Sequence, residues 1–247
     1  MTVTAVCMLE RQDGIKEIIG MDIRIVSLNV GKPQSFVYKG ADVQTGIFKQ
    51  PAKQGPVLLT ATNFAGDGQA DLVHHGGPDK AVCVYPFEHY AYWEREWNRT
   101  LDYGAFGENL TVLGMTEDRV CIGDIYASGE VRLQVTQPRQ PCHKLAKKYD
   151  IPDLAVRVQN TGYTGFYCRV LTPGPFDRTV PLTLERRHPL GVTVQYANTI
   201  KHHDKHNLEG VAALLAVEEL SGSWRASFEK RIAGSEPSSD ERLNGKQ

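Results

Sequence analysis

The segment Gln137-Pro138-Arg139-Gln140-Pro141-Cys142-His143-Lys144 sets a sulfur among basic side chains behind a pair of prolines. The prolines stiffen the approach, and Pro141, just ahead of Cys142, places the cysteine at a helix N-terminus. The positive end of the helix dipole, with Arg139, His143 and Lys144 nearby, favours a thiolate there. Such a sulfur is either a nucleophile or a soft-metal ligand. The bland alternative is a small buried hydrophobe, and the local residues leave the two readings level. Cys7, Cys83, Cys121 and Cys168 sit in apolar, strand-like surroundings and read as structural.

A second group runs Asp71-Leu72-Val73-His74-His75-Gly76-Gly77-Pro78-Asp79-Lys80-Ala81. Its glycines allow close backbone approach to a ligand and Lys80 could meet a phosphate, but the pattern is neither a GxGxxG nor a Walker loop. An adjacent histidine pair is more often a turn than a metal site. Asn160-Thr161-Gly162-Tyr163-Thr164-Gly165 offers amide, hydroxyl and glycine positions as an anion-binding loop or a plain turn, and Gly107-Glu108-Asn109-Leu110 reads the same way. Gly31-Lys32-Pro33 places a lysine just past a strand. The run Lys201-His202-His203-Asp204-Lys205-His206 reads as a solvated loop between helices rather than a metal site. No Ser/His/Asp constellation and no close carboxylate pair stands out.

The elements that must position these groups are mostly strands. Residues 23–30 are β-branched and apolar, and further strands are expected at 57–63, 81–85, 109–113, 120–127, 131–136, 166–171 and 180–185. Val131, Leu133 and Val135 alternate with Arg132 and Gln134, the pattern of a half-buried strand, and Gly129-Glu130 makes a hairpin turn ahead of it. After Pro86, Phe87, Tyr90, Trp93 and Trp97 share a helical face that reads as core packing. A short helix is expected from near Cys142 to Lys148. Many short strands and few helices argue for a closed barrel or a sandwich. After about Pro189 the pattern turns helical, with helices expected at 193–200, 208–220 and 224–232.

A chain of 247 residues is long enough for one large β domain with a small appendage. We divide it into an N-terminal extension (1–20, before Met21), a β domain (21–187), a three-helix unit (188–233) and a polar, disordered tail (234–247). The net charge of −1 gives no global attraction for a nucleic acid polymer. No apolar run approaches a membrane span, and the start resembles neither a secretory signal nor a transit peptide. Five scattered cysteines without a CxxC pair fit a reducing cytoplasm.

Taken together, SLNVGKP at 27–33, HHGGPDKAV at 74–82, FGENLTV at 106–112, IGD at 122–124, VTQPRQPCHK at 135–144 and NTGYTGFYCRV at 160–170 resemble the MOSC family, named for the C-terminal domain of molybdenum cofactor sulfurase. Within it the chain looks most like the YiiM group, including its three-helix C-terminal unit. The resemblance implies a mainly β, closed MOSC-type barrel holding the molybdenum cofactor, Mo-molybdopterin, with Cys142 as the catalytic residue and the metal's thiolate ligand. By the same resemblance Lys32 and Asn109, the stretch His74, His75, Gly76, Gly77, Asp79 and Lys80, then Arg139, and finally Asn160, Thr161, Gly162, Thr164 and Gly165 would surround the cofactor. The chain departs from the group at Tyr163, where arginine is usual.

The implied activity is reduction of N-hydroxylated compounds of the 6-N-hydroxylaminopurine type, with electrons from an external flavin- or iron–sulfur-containing reductase. The implied partners are otherwise a small-molecule substrate and a second copy in a homodimer, with no membrane. The alternative is a sulfur carrier or cofactor-delivery module in which Cys142 bears a persulfide. The pyridoxal-phosphate domain that works with such cysteines in cofactor sulfurases has no counterpart here.

Overall fold

The computed structural model describes residues 23–70 and 76–245. The strands in chain order are β1 (Arg24–Val30), β2 (Gln34–Tyr38), β3 (Ala41–Thr45), β4 (Gln50–Pro51), β5 (Val57–Leu59), β6 (Val82–Pro86), β7 (Leu110–Leu113), β8 (Ile125–Ser128), β9 (Val131–Pro138), β10 (Phe166–Thr172), β11 (Gly174–Phe176) and β12 (Thr183–Arg186). Eight form one sheet in the order β12-β8-β9-β10-β6-β7-β1-β4. Its neighbours run antiparallel except β6 and β7, which run parallel. Ile25 and Leu28 on β1 share a core cluster with Tyr126 on β8 and Leu133 on β9, so the sheet curls around its own apolar face.

The curl stops short of closure. The expected closed barrel is instead an open half-barrel, whose edges β12 and β4 do not pair. The edges explain this. β4 has two residues, of which Pro51 has no N–H to give, and the four residues of β12 are all exposed.

The β8–β9 hairpin turns at Gly129 as its sequence dictates, with Ser128 opposite Val131 and φ of 57° at the glycine. The half-buried pattern expected of β9 holds only at its start. From Leu133 onward both faces are buried, because the C-terminal helices cover the outer one. There Ser221 N donates to the Thr136 carbonyl at 3.1 Å. The β2–β3 hairpin was not among the expected strands; it is largely exposed and turns at Lys39-Gly40, both at positive φ.

The helices are α1 (Tyr90–Trp97), α2 (His143–Tyr149), α3 (Leu154–Thr161), α4 (Val194–Asn198), α5 (Leu208–Leu215), α6 (Gly222–Ile232) and α7 (Asp240–Asn244). The buried Tyr90, Trp93 and Trp97 of α1 join Tyr85 and Phe106 in a second core that also receives Leu145 of α2 and Val158 of α3. A third core lies among the C-terminal helices and takes Ile122 from the β domain. Among the described residues no helix is long and apolar enough to cross a membrane.

Two polar stretches depart from expectation. Only the start of the run from Lys201 departs from a solvated loop: residues Thr199–His203 continue α4 as a π-helical turn, while Asp204, Lys205 and His206 are exposed between helices as expected. Lys201 is buried on Glu236 at 2.6 Å, and Arg231 caps the Ile200 and Lys201 carbonyls. The tail expected to be disordered from Gly234 instead forms α7, with Leu243 buried. One arginine explains its docking: Arg242 donates to the Pro141 carbonyl and, at 2.6 Å, to Gln159. The N-terminal extension lies outside the described residues.

Candidate active site

β9 delivers the chain to Pro138, and Arg139 N then donates to the Gly165 carbonyl at 2.9 Å. This holds the connection to α2 against the end of the loop before β10. Cys142 occupies the N-cap of α2 with extended backbone, and is 8% exposed. It lines a hollow together with Lys49, Asp67, Lys80, Arg139, Lys144 and Tyr167. Among the described residues, four cations thus face one carboxylate.

Each wall has a physical reason to stand where it does. Glu108 is fully buried and accepts from Gly104 N and Phe106 N at 3.0 Å, from Thr111 at 2.8 Å and from Tyr90 at 2.5 Å. These bonds wind residues 104–108 into a tight loop that presents the Phe106 carbonyl to Arg139, whose Nη2 donates to it at 2.7 Å. Gly107 sits at φ of 80° with Ile47 pressed against it, so a side chain there would both strain the backbone and collide. Opposite, Asp67 binds the Lys49 ammonium, Gly31 N at 2.9 Å and Asn109 Nδ2 at 2.8 Å. Asn109 in turn accepts from Cys83 N at 3.0 Å, tying β1, β6 and β7 together at the hollow's floor.

Two features mark the hollow as a place for an anion. The first is its charge. The second is Arg139 Nη1, a buried guanidinium nitrogen without a hydrogen-bond partner. An unpaired buried donor is costly, and an anionic group at the hollow would supply the acceptor. Cys83 also lines the hollow, but burial pushes its thiol up to about 12 against the opposing pull of Arg139, so it stays protonated near neutrality.

Of the expected site residues, the structure brings Lys80, Asn109, Arg139 and Cys142 to one hollow. Lys32 is exposed and is not part of its wall. Gly76 and Gly77 precede a single 3-10 turn, Pro78–Lys80, and do not line it either. Asp79 is engaged elsewhere: its carboxylate pairs with Arg169 at 2.8 Å and accepts from Gly222 N at 3.1 Å, fastening the helical unit to the sheet. His74 and His75 lie outside the described residues.

Asn160, Thr161 and Gly162 do not face Cys142. They end α3, with Gly162 as its left-handed cap at φ of 73°, and line a separate hollow. Thr164 accepts from Asn198 Nδ2 at 2.8 Å, and a Cβ on Gly165 would meet the Val84 carbonyl at 2.4 Å. These two positions therefore serve chain packing.

Lys49 and Asp67 line the hollow and Arg242 holds the Pro141 carbonyl, though no sequence motif singled them out, and Tyr167, also on the wall, lies in the stretch at 160–170 without having been marked. The acid between two glycines, Gly66-Asp67-Gly68, is the one local hint.

The MOSC domain family model matches residues 71–180, and the model described as "YiiM-like, 3-alpha helix domain" matches residues 192–234. An uncharacterized protein of Bacillus subtilis strain 168, YflK, is 55% identical over 207 residues, covering 84% of this chain and 93% of that one. A protein of Gibberella moniliformis named "Reductase" is 40% identical over 156 residues, 61% of this chain but 27% of its own length. The crystal structure of YiiM from Geobacillus stearothermophilus superposes with a TM-score of 0.72 at 42% identity, covering 85% of this chain and 99% of that chain. With its β domain, its helical unit and these relatives in agreement, the chain belongs to the MOSC family, in the YiiM-like group.

Proposed function

We propose that the chain is an oxidoreductase that holds the molybdenum cofactor at Cys142 and reduces N-hydroxylated compounds such as 6-N-hydroxylaminopurine. The observation that carries this reading is the pairing of a nearly buried cysteine with four cations and an unpartnered guanidinium nitrogen in one hollow. Among the described residues no three His, Cys, Asp or Glu side chains gather as a metal site, and a metal held by Cys142 would take its other ligands from a cofactor. The donor chemistry fits: soft sulfur for the metal, Arg139, Lys80 and Lys144 for the anionic pterin and its phosphate.

When bound, the cofactor supplies the redox step, in which an N–OH group takes up two electrons and two protons to leave as N–H and water. The chain does the rest. Cys142 would hold the metal through its sulfur. Arg139, held rigidly by the Phe106 carbonyl, orients the anionic end. Tyr167, whose phenol burial pushes well above its usual range, keeps its proton and can donate it toward a leaving oxygen, with Lys144 as the second donor on the wall. The chain carries no iron–sulfur motif, so electrons come from an external flavin- or iron–sulfur-containing reductase in a reducing cytoplasm. The name of the Gibberella moniliformis relative supports the reaction class, and the three quarters of that protein outside the match leave room for such a partner within one polypeptide.

The test is reduction of 6-N-hydroxylaminopurine by protein from a cofactor-competent host, with a reduced viologen dye as donor. Wild type turns over, and Cys142→Ala loses at least about a thousandfold. Cyanide-labile sulfur on Cys142 without turnover would instead identify the sulfur-carrier reading.

A further inference from the structure

The second hollow is a larger one, about 590 Å³, within the range of small-molecule sites. Its wall carries Glu88, Glu117 and Asp118 against Arg119, together with His89, His203 and the end of α3. Among the described residues it shares no lining residue with the Cys142 hollow.

The polar groups at its wall are unevenly satisfied. Glu117 is complete: one oxygen accepts from Gly165 N at 2.8 Å and the other pairs with His89 Nε2 at 2.6 Å. The Tyr163 ring stacks on His89 with centroids 3.9 Å apart and planes 11° off parallel, locking that imidazole. Asn198, 2% exposed, is half satisfied. Its Nδ2 donates to Thr164 Oγ1 at 2.8 Å, and Thr164 Oγ1 donates on to the Gly165 carbonyl at 2.9 Å, which fixes the nitrogen end of the amide. Oδ1 then remains a buried acceptor without a partner. Glu88 repeats the arrangement, with Oε1 accepting from Gly114 N at 2.6 Å and Oε2 buried and unpartnered. Both unpartnered atoms are acceptors, and the wall is net acidic. A group with several N–H donors and positive charge would match them.

We propose that this hollow binds a small organic cation of the alkylguanidinium class, with Glu88 and Asn198 accepting its N–H groups. A guanidinium presents donors in a planar fork that can reach separate oxygens, which a compact ammonium does less well. The site is independent of Cys142 chemistry.

Calorimetric titration of the full chain with n-butylguanidine, and with its neutral shape analogue n-butylurea, tests this. Saturable binding of the guanidine is expected, with the urea and the Glu88→Gln variant each weaker by at least about tenfold, and Cys142→Ser unchanged. Because Glu88→Gln could perturb folding, amide shifts of the unmutated chain provide a second measurement, moving at residues 160–163 and 195–199. Absence of saturable binding, equal affinity for the urea, or shifts confined to the Cys142 hollow would overturn the assignment.

Discussion

Around Cys142 the wall carries Lys49, Lys80, Arg139 and Lys144 against Asp67, and its unpartnered polar atom is a donor. Around Glu117 the wall carries Glu88, Glu117 and Asp118 against Arg119, and its unpartnered atoms are acceptors. Both hollows abut the stretch that runs from the end of α3 into β10, yet they ask for ligands of opposite charge. A net charge of −1 conceals this completely. Local fields near a low-dielectric wall, rather than the balance over the whole chain, decide what each hollow attracts.

The difference can be broken most forcefully at Glu117. Glu117→Ala strands His89 and Gly165 N together, and urea denaturation should show a loss of about 3 kcal/mol. Molybdenum bound per folded chain should not change; a parallel fall would mean that the two hollows act as one. On the other side, Arg139→Met removes the oriented guanidinium and leaves the Phe106 carbonyl unpaired. It should cost about 2 kcal/mol in cofactor retention, read as faster loss of molybdenum on gel filtration, without altering n-butylguanidine binding.

A smaller effect follows from His202, which burial holds at about 3, far below its ordinary 6.5. Between those values the unfolded chain takes up a proton that the folded chain refuses. Stability is therefore full above about pH 6.5 and falls on acidification by up to about 1.4 kcal/mol per pH unit. His202→Gln should flatten that limb in thermal melts from pH 7 to 5, and an unchanged slope would mean that other groups set it. Smallest is Arg242→Ala, about 1 kcal/mol. Since Arg242 holds the Pro141 carbonyl, the variant should also speed alkylation of Cys142 by iodoacetamide severalfold, an effect that a distant surface change would not produce.

The contrast also shows where the residues alone were readable. Cys142, Arg139 and Lys144 are close in sequence, and their convergence survived folding because a strand end and a helix start hold them. Lys49 and Asp67 reach the same hollow from loops near its far wall, and nothing in their neighbours announces it. The stretch from Asn160 to Gly165 misled for a chemical reason: amides, hydroxyls and glycines that suit an anion loop equally suit the end of a helix, and here Gly162 caps α3. The strands were mostly legible from β-branched runs, whereas closure depended on edge strands too short to leave a periodic signal. Arg242 was hidden in a polar tail whose composition favours disorder. A half-buried arginine, hydrogen-bonded through both terminal nitrogens of its guanidinium, and the buried Leu243 beside it dock that tail as a helix.

The most direct measurement is molybdenum-edge X-ray absorption on wild type and Cys142→Ser, both purified from a cofactor-competent host. Wild type should hold stoichiometric molybdenum, with a protein sulfur in its coordination shell that the serine variant lacks. Protein free of molybdenum, or a coordination shell identical in the two proteins, would contradict a cysteine-held cofactor.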